Sequence, residues 1–182
     1  MVGFGLTADF PEANLRHYHF MLQGLRETQQ ALATRGIRMV VRAESPTECM
    51  PKLTKKAALV VVDEGYLRVQ RHWREEVTEN VACPMEEVET NLIVPVEAAA
   101  QKENFSAGTF RPRISRQLDT YLVPLKKRRL NHRSVAMKLD GLDLGDIEKV
   151  VKAVEVDTSV GPAPGFKGGT KESKRRLADF IR

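Results

Sequence analysis

Two stretches of this chain carry residue types and spacings that could do chemistry. Near the start, Gly3-Phe4-Gly5-Leu6-Thr7-Ala8 has the glycine spacing of a dinucleotide-binding turn. That motif works when a strand delivers the glycines to a helix N-terminus, where backbone N–H groups meet a pyrophosphate. Only Met1 and Val2 precede it here, so the glycines are expected inside a strand instead. Farther on, Lys126-Lys127-Arg128-Arg129-Leu130-Asn131-His132-Arg133 is the densest basic run. It suits a solvated connector, or a contact to nucleic-acid backbone made by Lys126, Lys127, Arg128 and Arg129. It lacks the interleaved aromatics that stack single-stranded bases.

Other familiar chemistries find no support. His17 and His19 sit two apart on an expected helix, so they face different directions and cannot share a metal. His72 and His132 lack neighbouring acidic or Cys partners, and no metal site is expected. The stretch from Gly161 to Thr170 contains Lys167 but not the spacing of a phosphate loop. No GxSxG occurs, and no Cys–His neighbourhood suggests covalent hydrolysis. The pairs Glu75-Glu76 and Glu86-Glu87 read as solvated faces. Cys49 and Cys83 form no CxxC pattern and read as reduced thiols of a cytoplasmic protein.

The elements that must position these residues follow from periodicity. Leu15, Tyr18, Met21, Leu22, Leu25 and Leu32 predict a helix from about residue 13 to 34, stopped by Gly36. Ile37–Val41 reads as a strand. Ser45-Pro46-Thr47-Glu48 is a capping box opening a short helix to about Lys55. Ala57–Val62 is a continuous apolar run, as in a strand buried on both faces. Val69, Trp73, Val77 and Val81 mark one face of a further helix. Leu92–Val96 is a candidate strand, residues 101–115 read as a loop, and 117–125 as a short helix. Leu144, Ile147, Val150, Val151 and Val154 predict a helix over 143–154. Beyond the breaker cluster 161–169, Thr170 can cap a last helix with Leu177, Phe180 and Ile181 on one face. Strands alternating with helices predict an α/β fold, a doubly wound, mostly parallel Rossmann-like sheet, with a C-terminal helical extension. A ligand would then sit at the strands' carboxyl ends.

Of the 182 residues, 29 are Lys or Arg and 24 are Asp or Glu, giving a formal net charge of +5. The excess is local: residues 1–124 carry 15 basic and 16 acidic residues, whereas residues 125–182 carry 14 and 8. No run of about 18 apolar residues exists to span a membrane. The start has no basic region followed by a cleavage site, as a signal peptide would.

Several ordered motifs resemble one family. Leu15-Arg16-x-Tyr18-x-Phe20-Met21-Leu22-x-Gly24-Leu25 is similar to the first marked helix of class II cyclobutane pyrimidine dimer photolyases. Asp63, Leu67-Arg68, Arg71, Trp73 and Glu75-Glu76-Val77 follow in that family's order. So do Ile93-Val94-Pro95, Lys102, Thr109 and Arg111-Pro112-Arg113-Ile114. Val156-Asp157, Ser159-Val160, Pro162, Gly168-Gly169, Leu177 and Phe180 resemble its bridge into a helical domain. The chain departs from the pattern at Val88-Glu89-Thr90-Asn91-Leu92, Glu97, Gln101 and Gly108.

The resemblance implies an antenna-type α/β domain over residues 1–124. Residues 125–182 would be a basic linker and the beginning of a helical FAD-binding domain. It implies a light-dependent DNA repair enzyme in which photoexcited reduced FAD gives an electron to a pyrimidine dimer in DNA and splits it. The dimer is reached by extruding the bases. FAD would belong to polypeptide beyond Arg182, and with it the catalytic residues, so the chain alone is not expected to be competent. A deazaflavin or folate antenna would lie near Gly5, Leu6 and Thr7. Met1 falls where the family's second strand begins, so the central first strand is expected to be missing. Two other readings stay open: a stand-alone or degenerate α/β binding module without catalysis, and a small nucleic-acid-binding α/β protein using its basic tail.

Overall fold

The computed structural model describes residues 1–126 and 128–182, so Lys127 lies outside the described residues. The order of elements is β1 (Val2–Gly5), α1 (Leu15–Thr34), β2 (Met39–Arg42), α2 (Pro46–Leu53), β3 (Val60–Asp63), α3 (Arg68–Asn80), β4 (Met85–Val88), α4 (Val96–Ala99), α5 (Ala107–Ser115), α6 (Leu118–Tyr121), α7 (Ile147–Val154) and α8 (Thr170–Ile181). Both strand pairs, β1 with β2 and β3 with β4, are parallel. Each pair is joined through a helix, the β/α alternation of the expected fold class. The pairs form separate two-stranded sheets.

The chain divides into two compact units, residues 1–56, 72–82 and 130–182 in the first and 57–71 and 83–129 in the second. The first unit holds a core of Leu6, Tyr18, Leu22, Met39, Val41, Leu144, Ile147, Val150, Val151, Val154 and Val156. α1 begins cleanly because Asn14 accepts from the Arg16 N–H at 3.2 Å while the Asn14 N–H donates to His17 Nδ1. It presents Tyr18 and Leu22 to the core, one turn apart. α7 answers with Ile147, Val150, Val151 and Val154, all buried. Its N-terminus is capped by Asp146, and it stops at Glu155 in the left-handed region, φ 57°. α2 opens on the reciprocal bonds of Ser45 and Glu48 that its sequence announces.

The second unit departs from the sequence-based expectation in three places. The strand that pairs with β3 is Met85–Val88, not Leu92–Val96. Two adjacent glutamates hide this strand from any hydropathy pattern, and its partner, not its own propensity, defines it. Val96 instead begins a single helical turn after Pro95. Residues 107–115 are helical rather than loop, because Ser106 accepts from the Thr109 N–H and caps the first turn despite the internal Pro112. Finally, β3 is not buried on both faces: Val60 is buried while Val61 is 57% exposed.

Candidate functional site

At the carboxyl end of β1 the three residues expected to meet an antenna have different surroundings. Gly5 lies against the start of α2, where a Cβ would come within 2.8 Å of the Pro46 nitrogen and 3.0 Å of the Glu44 carbonyl oxygen. Leu6, 2% exposed, belongs to the core. Thr7 donates its hydroxyl to Asp9 at 2.7 Å, and its carbonyl accepts the Tyr18 hydroxyl at 2.7 Å. Burial pushes the Tyr18 phenol upward, so it stays a donor. Of the three, Thr7 is the residue with a polar side chain to offer a ligand. Gly3 and Gly5 are strand residues, as their position in the sequence implies.

The described residues of the basic run face solvent. Lys126, Arg128 and Arg129 are exposed, with nothing described of Lys127 between them. Just beyond, Arg133 lies over Gly36, and Ser134 and Val135 donate their N–H groups to the Gly36 carbonyl at 2.8 and 3.1 Å. The run is thus tethered on its C-terminal side to the turn before β2.

A second basic surface forms where α8 meets α1. Gly168 donates its N–H to Gln23 Oε1 at 2.6 Å, and Lys171 donates its N–H to Glu27 Oε2 at 3.1 Å. Glu27 therefore caps α8 from outside that helix, whose own N-cap position, Gly169, has no side chain to do so. The approach is close: a Cβ on Gly168 would overlap the Phe20 carbonyl oxygen, and Gly169 holds φ 111°. In the sequence these glycines read as a breaker and as part of a bridge resembling the family's; Gln23 and Glu27 of α1 give no local sign of their part in holding them. Glu172 accepts from Arg175 and Arg176, which hold its carboxyl down at about 2. Arg176 also donates to the Gly165 carbonyl at 2.6 Å and lies 5.3 Å over the Phe166 ring. Farther along α8, Leu177, Phe180 and Ile181 are exposed.

In the second unit, Tyr66 donates to Glu89 beside the carboxyl ends of β3 and β4, and Thr90 donates to Asp63. The Glu89 carboxylate pushes the Tyr66 phenol up to about 12, and Tyr66 in turn lowers Glu89.

These residues do not fit a resident FAD. The cleft between α1 and the α8 start, about 460 Å³, is walled by Gln23, Arg26, Glu27, Lys167, Gly168, Lys171, Glu172 and Arg175, with no aromatic or branched aliphatic side chain to take a flavin ring. The cleft by Arg38, Met39 and Leu142 measures about 280 Å³, below the usual range for ligands of that size. Among the described residues no cluster of His, Cys, Asp and Glu could hold a metal, and no helix is long and apolar enough to cross a membrane.

The fold defines the class first. Over 98% of its length the chain superposes on a cryptochrome from Synechocystis sp. with a TM-score of 0.68 at 12% identity, covering 39% of that chain. An archaeal photolyase from Sulfolobus tokodaii, solved with two FAD molecules, gives 0.66 over 97% of this chain and 39% of that one at 17% identity. The architecture is therefore the α/β domain of photolyases and cryptochromes.

Sequence carries the assignment further. The family model for DNA photolyase matches residues 2–130, and this chain belongs to that family. It is 41% identical over 185 residues to the deoxyribodipyrimidine photo-lyase of Methanothermobacter thermautotrophicus, covering all of this chain and 40% of that protein. The photo-lyase of Potorous tridactylus is 25% identical over 184 residues, covering 99% of this chain and 34% of that protein. The chain thus spans well under half the length of these relatives.

Proposed function

We propose that these 182 residues are the N-terminal α/β portion of a class II photolyase, a light-dependent enzyme that splits cyclobutane pyrimidine dimers in DNA. The observation that carries this is the 41% identity along the whole chain to a photo-lyase of which it covers 40%. The class II assignment rests on the ordered motifs from Leu15 to Phe180. In this reading residues 1–124 are the antenna-type domain and 125–182 lead toward a helical, FAD-binding part. FAD would supply the electron for dimer cleavage, held outside the two clefts described above.

This chain's own contribution is to place that part and to carry an antenna. The tether of Gly168 to Gln23 and of α8 to Glu27 fixes the direction in which α8 leaves the domain. A deazaflavin or folate antenna would lie at the carboxyl ends of β1 and β2, meeting Thr7 and loop backbone, since Leu6 is occupied in the core and Gly5 is covered by Pro46. Lys126, Lys127, Arg128 and Arg129 supply positive charge for DNA phosphates.

Titration of the purified chain with FAD and, separately, with a deazaflavin tests the division of labour. The expected result is no saturable flavin fluorescence change with FAD, and a saturable one with the deazaflavin that Thr7→Val weakens. Tight FAD binding by these residues would contradict the reading. A deazaflavin signal that does not saturate would remove the antenna from it.

A further inference from the structure

We propose that the cleft between the C-terminal half of α1, the start of β2 and residues 135–143 binds a small zwitterion, an aliphatic α-amino acid, with its carboxylate on Arg38 and its ammonium toward Asp143. The cleft measures about 280 Å³ and lies wholly within the first unit. That volume falls just under the range of drug-sized pockets, about 300–1,000 Å³, and suits a small molecule.

Its three walls are bonded to one another. Gln29 Nε2 of α1 donates to the Met39 carbonyl at 3.3 Å, the Arg38 N–H donates to Ser134 Oγ at 2.9 Å, and the Leu142 N–H donates to the Val41 carbonyl at 2.7 Å. Gly141 lies so close to β2 that a Cβ would come within 2.9 Å of the Val41 carbonyl oxygen. The cleft is therefore formed before any ligand arrives, which lowers the entropy lost on binding.

Arg38 brings an unmet demand. Its Nη2 donates to the Leu139 carbonyl at 3.2 Å, but its Nε is buried with no hydrogen-bond partner among the described residues. Buried donors are nearly always paired. A guanidinium with Nε open matches a carboxylate, whose two oxygens can accept from two of its N–H groups.

Asp143 lines the same cleft with the opposite charge, yet the two side chains form no ion pair. Each is held elsewhere: Arg38 by the Leu139 carbonyl, and Asp143 Oδ1 by the Gly145 N–H at 2.8 Å. These two are the charged residues of the lining, so its charges cancel. A simple anion would gain from Arg38 and lose to Asp143, whereas a zwitterion gains from both. Ile37, Val135 and Leu142 add apolar surface for an aliphatic side chain.

Amide-resolved NMR titration of the intact 182-residue protein with L-leucine tests this. The expected result is saturable shifts at the Arg38, Val135 and Leu142 amides and none at Leu177 or Phe180. Leucinamide lacks the carboxylate and N-acetyl-leucine lacks the ammonium; each should bind about tenfold more weakly or worse. Arg38→Lys keeps the charge but not the planar fork, and should weaken leucine by about tenfold. Asp143→Asn keeps an acceptor for the Gly145 N–H, and should weaken leucine while leaving N-acetyl-leucine unchanged. The proposal is overturned if leucine gives no saturable shift, if either analogue binds as tightly as leucine, or if Arg38→Lys keeps full affinity. Inorganic phosphate binding more tightly than leucine would make this an anion site and also overturns it.

Discussion

Gly168 and Gly169 show how much a single position can decide. The Gly168 Cα sits where any side chain would meet the Phe20 carbonyl, and its N–H is taken by Gln23. Gly168→Ala should therefore free the start of α8 from α1, at a cost of about 1–3 kcal/mol if the backbone shifts to accommodate it. Tryptic cleavage within Lys171–Arg176 should speed up while the core around Leu22 stays folded; unchanged cleavage would mean the tether is not structural. A second test lies at Tyr66. Its phenol sits at about 12 in the folded protein against an ordinary 10.0, because Glu89 accepts its hydrogen bond. A raised acid is stabilising while protonated, so the contribution is complete below pH 10.0 and is lost as pH rises through about 12. In Glu89→Gln, spectroscopic titration should show the Tyr66 transition moving back toward the ordinary range.

Elements divide sharply into those the core holds and those it does not. Leu144 is fully buried among α1, α7 and β2 residues, so Leu144→Ala should cost about 2–5 kcal/mol in urea denaturation. Phe180 is 88% exposed on α8, and Phe180→Ser should change stability by no more than about 0.5 kcal/mol. A large loss at Phe180 would show that its face is covered within this chain. The same division explains what the sequence discloses. α1, α2 and α7 have strong periodicity or reciprocal caps, and their positions are readable from Leu15, Ser45 and Ile147 alone. β4 is not, because Glu86 and Glu87 satisfy a ladder that only β3 provides. α5 is masked by Pro112, although Ser106 holds the signal. At the candidate site, the glycines of β1 and the pair at 168–169 are visible in the sequence, but Gln23 and Glu27 become meaningful only once α8 lies against α1.

At the scale of the whole molecule, charge is the property with reach. The net charge of +5 comes from the C-terminal third, where Lys126, Arg128 and Arg129 are exposed. Arg175 and Arg176 contribute less than their number suggests, because Glu172 and Asp179 already engage them. Duplex affinity should therefore fall linearly on a logarithmic salt scale. Neutralising Lys126, Arg128 and Arg129 together should reduce the slope by about 0.9 for every phosphate that no longer meets a cation. Neutralising Arg175 and Arg176 should do less, and the reverse ranking would move the DNA surface to α8.

The central claim is that this chain is the α/β portion of a photolyase whose light chemistry resides elsewhere. Illumination of a dimer-containing oligothymidylate with the purified 182 residues and reduced FAD, followed by recovery of thymine absorbance, tests it most directly. The expected result is no recovery above the protein-free control. Light-dependent recovery catalysed by these residues alone would contradict it.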